Sequence, residues 1–513
     1  MINKSIFGGK IKRSELPYAE LISSINFLLL LKALFFFWLI QQGTIGLGPD
    51  EAQYWTWSQK LDWGYYSKPP GIAWQIWFGT QLFGNTELGV RFPSLLLSIL
   101  ISLVTYFLAI ASKTMPKTAF WAAVALTLTP LGLLSSFLAI TDGGLVLFWT
   151  LAALIVAKSL SNEETPNYYL LGLIIASGAV FKWPIYLFWP ILLLFWYRYA
   201  FLRSAHIVAG MALSLLGLLP SLIWNWNHHW ATFLHTATTV AGGHGTSGGN
   251  PLAFFGMQVG LISPILFGLL IAACIYFFRQ FRSLPPPILF CGSSSLLILL
   301  GFGLLSLFQK IQGNWCDFFY PTGVVFLSWY AIEQTKLGLR WLQAGIALSL
   351  LLCLVLLFAP LPYRLNPFRH NLGWNQLSEY LLEAGYKPQR DFLFADTYQT
   401  TSILSFYGPD QKRAYFLNLQ GTRNNQFTFW PGMAEEQKGQ TGYFVVIENN
   451  PQNAVHIMKL VEFYKEALKP YFLQVTYLGM APLYKVDGET KKGAHIFIAI
   501  TYNGNLPSSS KLY

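Results

Sequence analysis

Long apolar runs recur along the first two thirds of the chain, separated by short polar breaks. A helix that crosses a bilayer needs about 20 mainly apolar residues. Eleven stretches meet or approach that length: 21–40, 88–111, 118–138, 143–160, 168–182, 184–201, 205–224, 253–278, 287–308, 317–334 and 341–360. The pair around 168–201 is short and divided only by Lys182-Trp183-Pro184, where the proline starts or breaks a helix. A missed pair would raise the count to about thirteen without changing the sidedness. From about residue 361 the pattern changes. Arg364, Arg369, Glu379, Glu383, Lys387 and Arg390 follow one another closely. Helices are expected near 374–385, 397–407 and 452–468, and strands near 391–395, 413–418, 443–448, 471–479 and 495–501. The expected fold class is mainly α: a polytopic membrane domain, 1–360, with about 11 to 13 transmembrane helices, then a soluble α/β domain, 361–513.

Basic residues set the orientation of such a chain. Lys113, Lys117, Lys158, Arg198, Arg203, Arg279, Arg282, Lys336 and Arg340 all fall, by simple alternation, on the side of the N-terminal Lys4, Lys10, Lys12 and Arg13. Only the 158–168 loop is ambiguous, because it also holds Glu163 and Glu164. This predicts a cytoplasmic N-terminus and a C-terminal domain outside the cytoplasm. The first apolar run lacks a small-x-small cleavage site, so it reads as an uncleaved span.

Composition narrows the class further. Charged residues are 11% of the 513 positions, against roughly 25% in an average soluble domain. Apolar residues are 54%, aromatics 17%, and mean hydropathy is +0.42. A globule this poor in charge could not cover its surface in water. Disorder, collagen, coiled coil and a small disulfide scaffold are excluded. The net charge of +11 belongs to cytoplasmic loops and does not indicate a nucleic-acid partner. Cys274, Cys291, Cys316 and Cys353 lie in or beside apolar runs and read as buried thiols. The chain has no Walker P-loop and no G-x-G-x-x-G between a strand and a helix, which points to a lipid-borne rather than nucleotide-borne activated substrate.

Ionisable groups within or beside membrane spans are costly, and so are functional candidates. Asp50, Glu51, Asp62, Lys68, Arg91, Asp142, Lys182, His228, His229, Lys310 and Asp317 all fall on the non-cytoplasmic side. A cleft there would hold acids and bases together. Asp50, in Gly48-Pro49-Asp50-Glu51, could serve as a general base; it could equally cap a helix or be an interfacial charge. Asp142, in Thr141-Asp142-Gly143-Gly144, reads as a helix cap, a substrate contact or both. Lys68 and Lys182 could bind phosphate or simply snorkel to the interface. Lys32 lies within the first span and needs a partner. His228, His229, His235 and His244 match no metal-site spacing and read as a polar loop, so no metal ligands are assigned. The loop Gly421–Gly432 either touches a sugar or is an ordinary surface turn.

These motifs have a family likeness. "GPDEAQYWTWSQKLDWGYYSKPPGIAW" resembles the first outer loop of GT-C glycosyltransferases, in the branch of protein O-mannosyltransferases and the lipid A aminoarabinose transferase. "GVRFPSLL", "ITDGGLVLFW", "FKWP", "WNWNHHW", "QVGLISPILF" and "QGNWCDFFYP" continue the likeness through roughly residues 20–330. It implies a polyprenyl-phosphate-sugar donor reached from the outer leaflet of a bacterial inner membrane, with the C-terminal domain in the periplasm. The implied acceptor is lipid A or another glycan, with a protein hydroxyl as the alternative. Asp50, Glu51 and Asp142 match the family's acidic motifs. Lys68 matches its phosphate-contacting lysine and Lys182 a basic position after the fifth span; both would stabilise the departing phosphate, with Tyr65, Tyr66, Arg91 and Lys310 as further candidate substrate contacts. The implied reaction is an inverting transfer. Ser67 stands where the aminoarabinose transferase has a zinc-binding glutamate, so no metal site is carried over, although a divalent metal stays open as a cofactor. Two other classes compete. A transporter would show repeated halves and midplane charges. A non-catalytic envelope protein would tolerate neutralising Asp50.

Overall fold

The computed structural model describes residues 18–240, 248–451 and 453–507. All eleven apolar stretches are helical. Among the described residues, six helices are long and apolar enough to cross a membrane: α1 (Tyr18–Gln41), α4 (Glu87–Ala111), Asp142–Asn162, the run from His206 to Asn227, Pro286–Leu305 and Gly338–Phe358. The 253–278 stretch is two helices, Pro251–Ile262 and Pro264–Gln280, bent by 109° at Ser263. Ser263 has φ of +82°, and Pro264 cannot donate a hydrogen bond back into the preceding helix. The other four stretches are shorter or interrupted, again at prolines. Pro116–Leu128 stops before Pro130, and Trp183–Leu187 begins a new helix around Pro184.

The outward faces of these helices are apolar. Phe27, Leu30, Leu34 and Trp38 are exposed on α1, as are Leu297, Leu300 and Leu304 on Pro286–Leu305. Hydrocarbon solvates such faces; water would not. Inside, the helices Tyr168–Ala179 and His206–Ser214 pack backbone to backbone: a Cβ on Gly172 would lie 2.3 Å from the Gly210 carbonyl oxygen. The buried Lys32 ammonium finds its partner in the Gly132 carbonyl oxygen at 2.9 Å. At one end of the bundle, loops predicted to be cytoplasmic meet. Lys113 donates to the Ser161 carbonyl, and Glu333 accepts from Met115 N and Thr118 Oγ1 at 2.9 and 2.8 Å.

The other end carries two short outer helices, α2 (Pro49–Ser58) and α3 (Gly71–Phe83), and the C-terminal domain. That domain has a five-stranded sheet of β1 (Phe392–Ala395), β2 (Tyr415–Phe416), β3 (Gly442–Asn449), β4 (Phe472–Val486) and β5 (Glu489–Tyr502). The order is β2-β1-β3-β5-β4; β1 is parallel to β2 and β3, and β5 is antiparallel to β3 and β4. The expected helices and strands are present, but β4 and β5 are much longer than read from sequence. They form one hairpin across Asp487-Gly488, whose φ values of +51° and +81° suit an Asp-Gly turn. The domain is docked rather than tethered. Trp55 packs edge-on against Phe406 at 5.0 Å, Leu47 N donates to Tyr407 Oη at 2.6 Å, and Asn371 Nδ2 donates to the Gly46 carbonyl at 3.0 Å.

Candidate active site

The first turn of α2 sorts its two acids into different roles. Gly48 is the N-cap, Pro49 opens the helix, and Glu51 Oε2 accepts from Gly48 N at 2.9 Å, so the capping proposed for Asp50 is done by Glu51. Glu51 is also held by a two-point pair with Arg91, Nε to Oε1 at 2.9 Å and Nη2 to Oε2 at 2.8 Å, and accepts from Ala139 N at 2.9 Å. Arg91 is fully buried; it donates to the Ile45 and Gly46 carbonyls at 2.7 and 2.8 Å and lies 4.2 Å from the Phe137 ring centre. This clamp fixes the loop between α1 and α2 to α4. Neither Glu51 nor Arg91 lines the cleft, although both were expected to act on substrate. Asp50, one position earlier on the helix, does.

The cleft holds about 730 Å³ and lies between the outer ends of the membrane helices and the C-terminal domain. Asp50, Lys68, Asp142, Lys182 and Tyr66 line it together, as the sequence predicted. Lys68 closes a tight turn in which Tyr65 N donates to the Lys68 carbonyl at 3.1 Å, and Pro69-Pro70 stiffen the exit. Asp142 is the first residue of its helix, after Thr141 as cap residue. Its Oδ1 pairs with Lys182 and its Oδ2 accepts from Asn314 Nδ2 at 3.1 Å. Tyr65 is buried behind the cleft, stacked on Trp57 at 4.6 Å, with its hydroxyl 3.0 Å from the Trp57 carbonyl. Lys310 is exposed and does not line the cleft.

Several wall residues were not named individually from the sequence. Tyr398, Arg423 and Asn425 come from the C-terminal domain, and Asn314 from the "QGNWCDFFYP" motif. The Gly421–Gly432 loop had been marked as a sugar-contact candidate; its Gln426 Oε1 accepts from Tyr66 N at 2.7 Å, which ties the loop to the first outer segment. Nothing in the sequence around Tyr398 signals its position, 3.5 Å from Asp50 Oδ1 through its hydroxyl.

The cleft is open on one side: Asp50 is exposed to solvent, while Lys68, Lys182 and Arg423 are half-buried. The enclosing walls push the Asp50 carboxyl above its ordinary range, against the pull of Lys68, Tyr398 and Arg423. Burial, helped by repulsion from Lys182, lowers the Lys68 ammonium to about 8, while Asp142 and Asp50 oppose the shift. Burial raises the Tyr398 hydroxyl to about 12, so it stays a donor to Asp50. A second cavity of about 260 Å³ shares Ile140, Asp142 and Asn314 with the cleft and runs into the bundle, where Leu131, Leu134, Leu138 and Leu261 line it. Asp317 also faces it, and its Oδ1 has no hydrogen-bond partner among the described residues.

The histidines divide. His228 stacks on Trp224 at 4.0 Å and engages the Trp224 carbonyl through Nδ1 at 2.7 Å, whereas His235 lines the cleft. His244 lies outside the described residues. Among the described residues no three His, Cys, Asp or Glu side chains converge as metal ligands. Both Asp142 oxygens are already engaged, one by the Lys182 ammonium.

Comparison with known proteins agrees with this geometry. A family model described as dolichyl-phosphate-mannose-protein mannosyltransferase matches residues 67–224. The lipid A galacturonosyltransferase RgtD of Rhizobium johnstonii is 30% identical over 297 residues, which is 57% of this chain and 62% of that protein. The match therefore spans less than two thirds of the relative's length. Among solved structures, ArnT from Cupriavidus metallidurans in the apo state gives a TM-score of 0.59 at 14% identity, covering 93% of this chain and 98% of ArnT. The same protein bound to undecaprenyl phosphate gives 0.59 at 14%, covering 91% and 97%. At that identity the likeness is one of fold. The resemblance to GT-C glycosyltransferases drawn from the motifs is borne out by the family match and the shared fold.

Proposed function

We propose that this chain is an integral-membrane glycosyltransferase that moves a sugar from a polyprenyl-phosphate donor to a cell-envelope glycolipid, with lipid A or a related glycan as acceptor. The observation that carries this reading is the arrangement of Asp50 and Lys68 in one cleft that shares a wall, Ile140, Asp142 and Asn314, with an apolar cavity among the membrane helices. The apolar cavity suits a prenyl chain, and the cations at its mouth suit the phosphate. The lipid A galacturonosyltransferase supports a glycolipid acceptor, and ArnT with undecaprenyl phosphate supports the carrier. A bacterial inner membrane with the cleft on the periplasmic side fits the basic loops at the opposite end.

In the reaction, Asp50 takes the proton of the acceptor hydroxyl as that oxygen attacks the anomeric carbon. A new glycosidic carbon–oxygen bond forms with inversion, and the bond from the anomeric carbon to the phosphate oxygen breaks. The polyprenyl phosphate leaves with the electron pair. Lys68, half-buried in the cleft wall, stabilises the charge that develops on it. Lys182, held by Asp142, adds positive potential from the next wall. Glu51 and Arg91 act by holding the turn that presents Asp50.

Two measurements test this. Mass spectrometry of envelope glycolipids from cells lacking the gene should show one sugar missing from lipid A, restored by the wild-type gene. An intact lipid A profile with a missing glycoprotein sugar would instead favour a protein acceptor, the substrate class of the matched family description. Loss of neither would favour transport. The pH profile gives the second test. Asp50 must be deprotonated and its pKa is raised, so kcat/KM should fall on the acid side above the ordinary aspartate range. Lys68 must be protonated and its pKa is lowered to about 8, so the alkaline limb should appear near pH 8. Lys68→Arg should move that limb upward, and an unmoved limb would remove Lys68 from phosphate stabilisation.

A further inference from the structure

Three cations and two acids line the cleft, and the proposed reaction accounts for only two of the cations. Lys182 is paired with Asp142. Lys68 is left for the phosphate. Arg423 is unexplained. It enters from the C-terminal domain, just ahead of the short helix Gln426–Phe429 that anchors on Tyr66. Its Nη1 lies 3.1 Å from His235 Nδ1 and 3.2 Å from Nε2, and its guanidinium carbon is 6.0 Å from the Tyr398 ring centre. Neither neighbour is an acid, and among the described residues no carboxylate forms an ion pair with Arg423. The guanidinium is half-buried in the wall of the cleft, between the His235 imidazole and the Tyr398 phenol, both neutral partners.

Position assigns the missing partner. The donor phosphate is tied to a prenyl chain in the bilayer, so the sugar must project away from the membrane helices, toward the domain that supplies Arg423. Tyr398 links the two ends of this wall, its hydroxyl approaching both Asp50 and the Arg423 guanidinium. A guanidinium is a planar fork whose best match is a carboxylate or phosphate bound at two points. A neutral sugar would leave that fork free to turn on Asp50 and tie up the base. An anionic group on the sugar would hold it away.

We propose that Arg423 binds a carboxylate on the transferred sugar, making the donor a polyprenyl-phosphate uronic acid rather than a neutral hexose or a cationic amino sugar. This rests on the glycosyltransferase reading above. Arg423 is then a specificity-determining residue, and the C-terminal domain is the part of the chain that selects the sugar.

The test uses the full chain in lipid nanodiscs, with lipid A as acceptor and two donors on the same polyprenyl phosphate, galacturonic acid and galactose. The wild type is expected to prefer the uronic acid by on the order of tenfold or more in kcat/KM, since a site built for a polar group rejects analogues lacking it. Arg423→Gln should lower the uronic acid reaction by about 10-fold to 100-fold, mainly through KM, and raise the galactose reaction by freeing Asp50, so that the preference between the two donors collapses. Arg423→Lys keeps the charge without the fork and should fall between, with all three proteins melting alike. Equal losses with both donors, or no wild-type preference, would overturn the proposal. A loss that disappears when the acceptor is dephosphorylated lipid A would also overturn it, by assigning Arg423 to the acceptor. Turnover of galactose alone would sink this proposal and leave glycosyl transfer standing, whereas no turnover of either donor would sink both.

Discussion

Asp50→Asn is expected to slow sugar transfer by on the order of 10² to 10⁴ fold, with the protein still folded. The amide keeps the size of the side chain and its contact with the Tyr398 hydroxyl, but it cannot take a proton from an acceptor. The carboxylate has little structural work to lose. The cap of α2 is made by Glu51, and among the described residues Asp50 is held only by the 3.5 Å approach of the Tyr398 hydroxyl. Purified variant and wild type should therefore melt together, bind the polyprenyl-phosphate donor with similar affinity, and differ in kcat. A variant that retains half the wild-type rate would show that Asp50 is not the base. In that case Asp317 is the next acid to test, because it faces the adjoining cavity with an unpartnered oxygen.

The contrast between Asp50 and Glu51 shows what a linear motif can and cannot convey. Two adjacent acids in an aromatic loop announce a functional segment. Which one faces substrate depends on a turn of helix and on Arg91, 40 residues further on in sequence. The same holds for Tyr65 and Tyr66. Alternation across a tight turn buries the first against Trp57 and presents the second to the cleft. Segments with a strong local pattern were legible: every apolar stretch is helical, and the helices and strands of the C-terminal domain fall where the pattern put them. Two features were not. The 109° bend at Ser263 is hidden inside an unbroken apolar run, with Pro264 as its only signal. The far half of β4 contains Pro482, which reads as a strand breaker; β4 is an edge strand, where a missing N–H is tolerated. The C-terminal wall of the cleft was legible only in part. The Gly421–Gly432 loop stood out by its aromatic and amide content, but Tyr398 reaches Asp50 across 348 residues of sequence.

The clamp behind the site leads to the second large effect. Arg91→Met should destabilise the protein by about 3–5 kcal/mol, because it strands the Glu51 carboxylate in a buried site while deleting the donors to the Ile45 and Gly46 carbonyls. Glu51 would keep its bonds from Gly48 N and Ala139 N, but these are neutral donors and cannot offset an unpaired buried charge. A denaturation series in detergent should show the loss as a lowered midpoint. Adding Glu51→Gln to Arg91→Met removes the stranded charge and keeps an acceptor for one of the two backbone donors, which reach different carboxylate oxygens, and should recover part of the stability, on the order of 1–2 kcal/mol. Recovery without activity would be the informative combination. The loop between α1 and α2 would then be folded but no longer pinned to α4, and Asp50 would ride on a turn with nothing to aim it. If the double variant were instead as active per folded molecule as wild type, the clamp would serve stability alone, and the aim of Asp50 would have to come from its contact with the C-terminal domain through Tyr398.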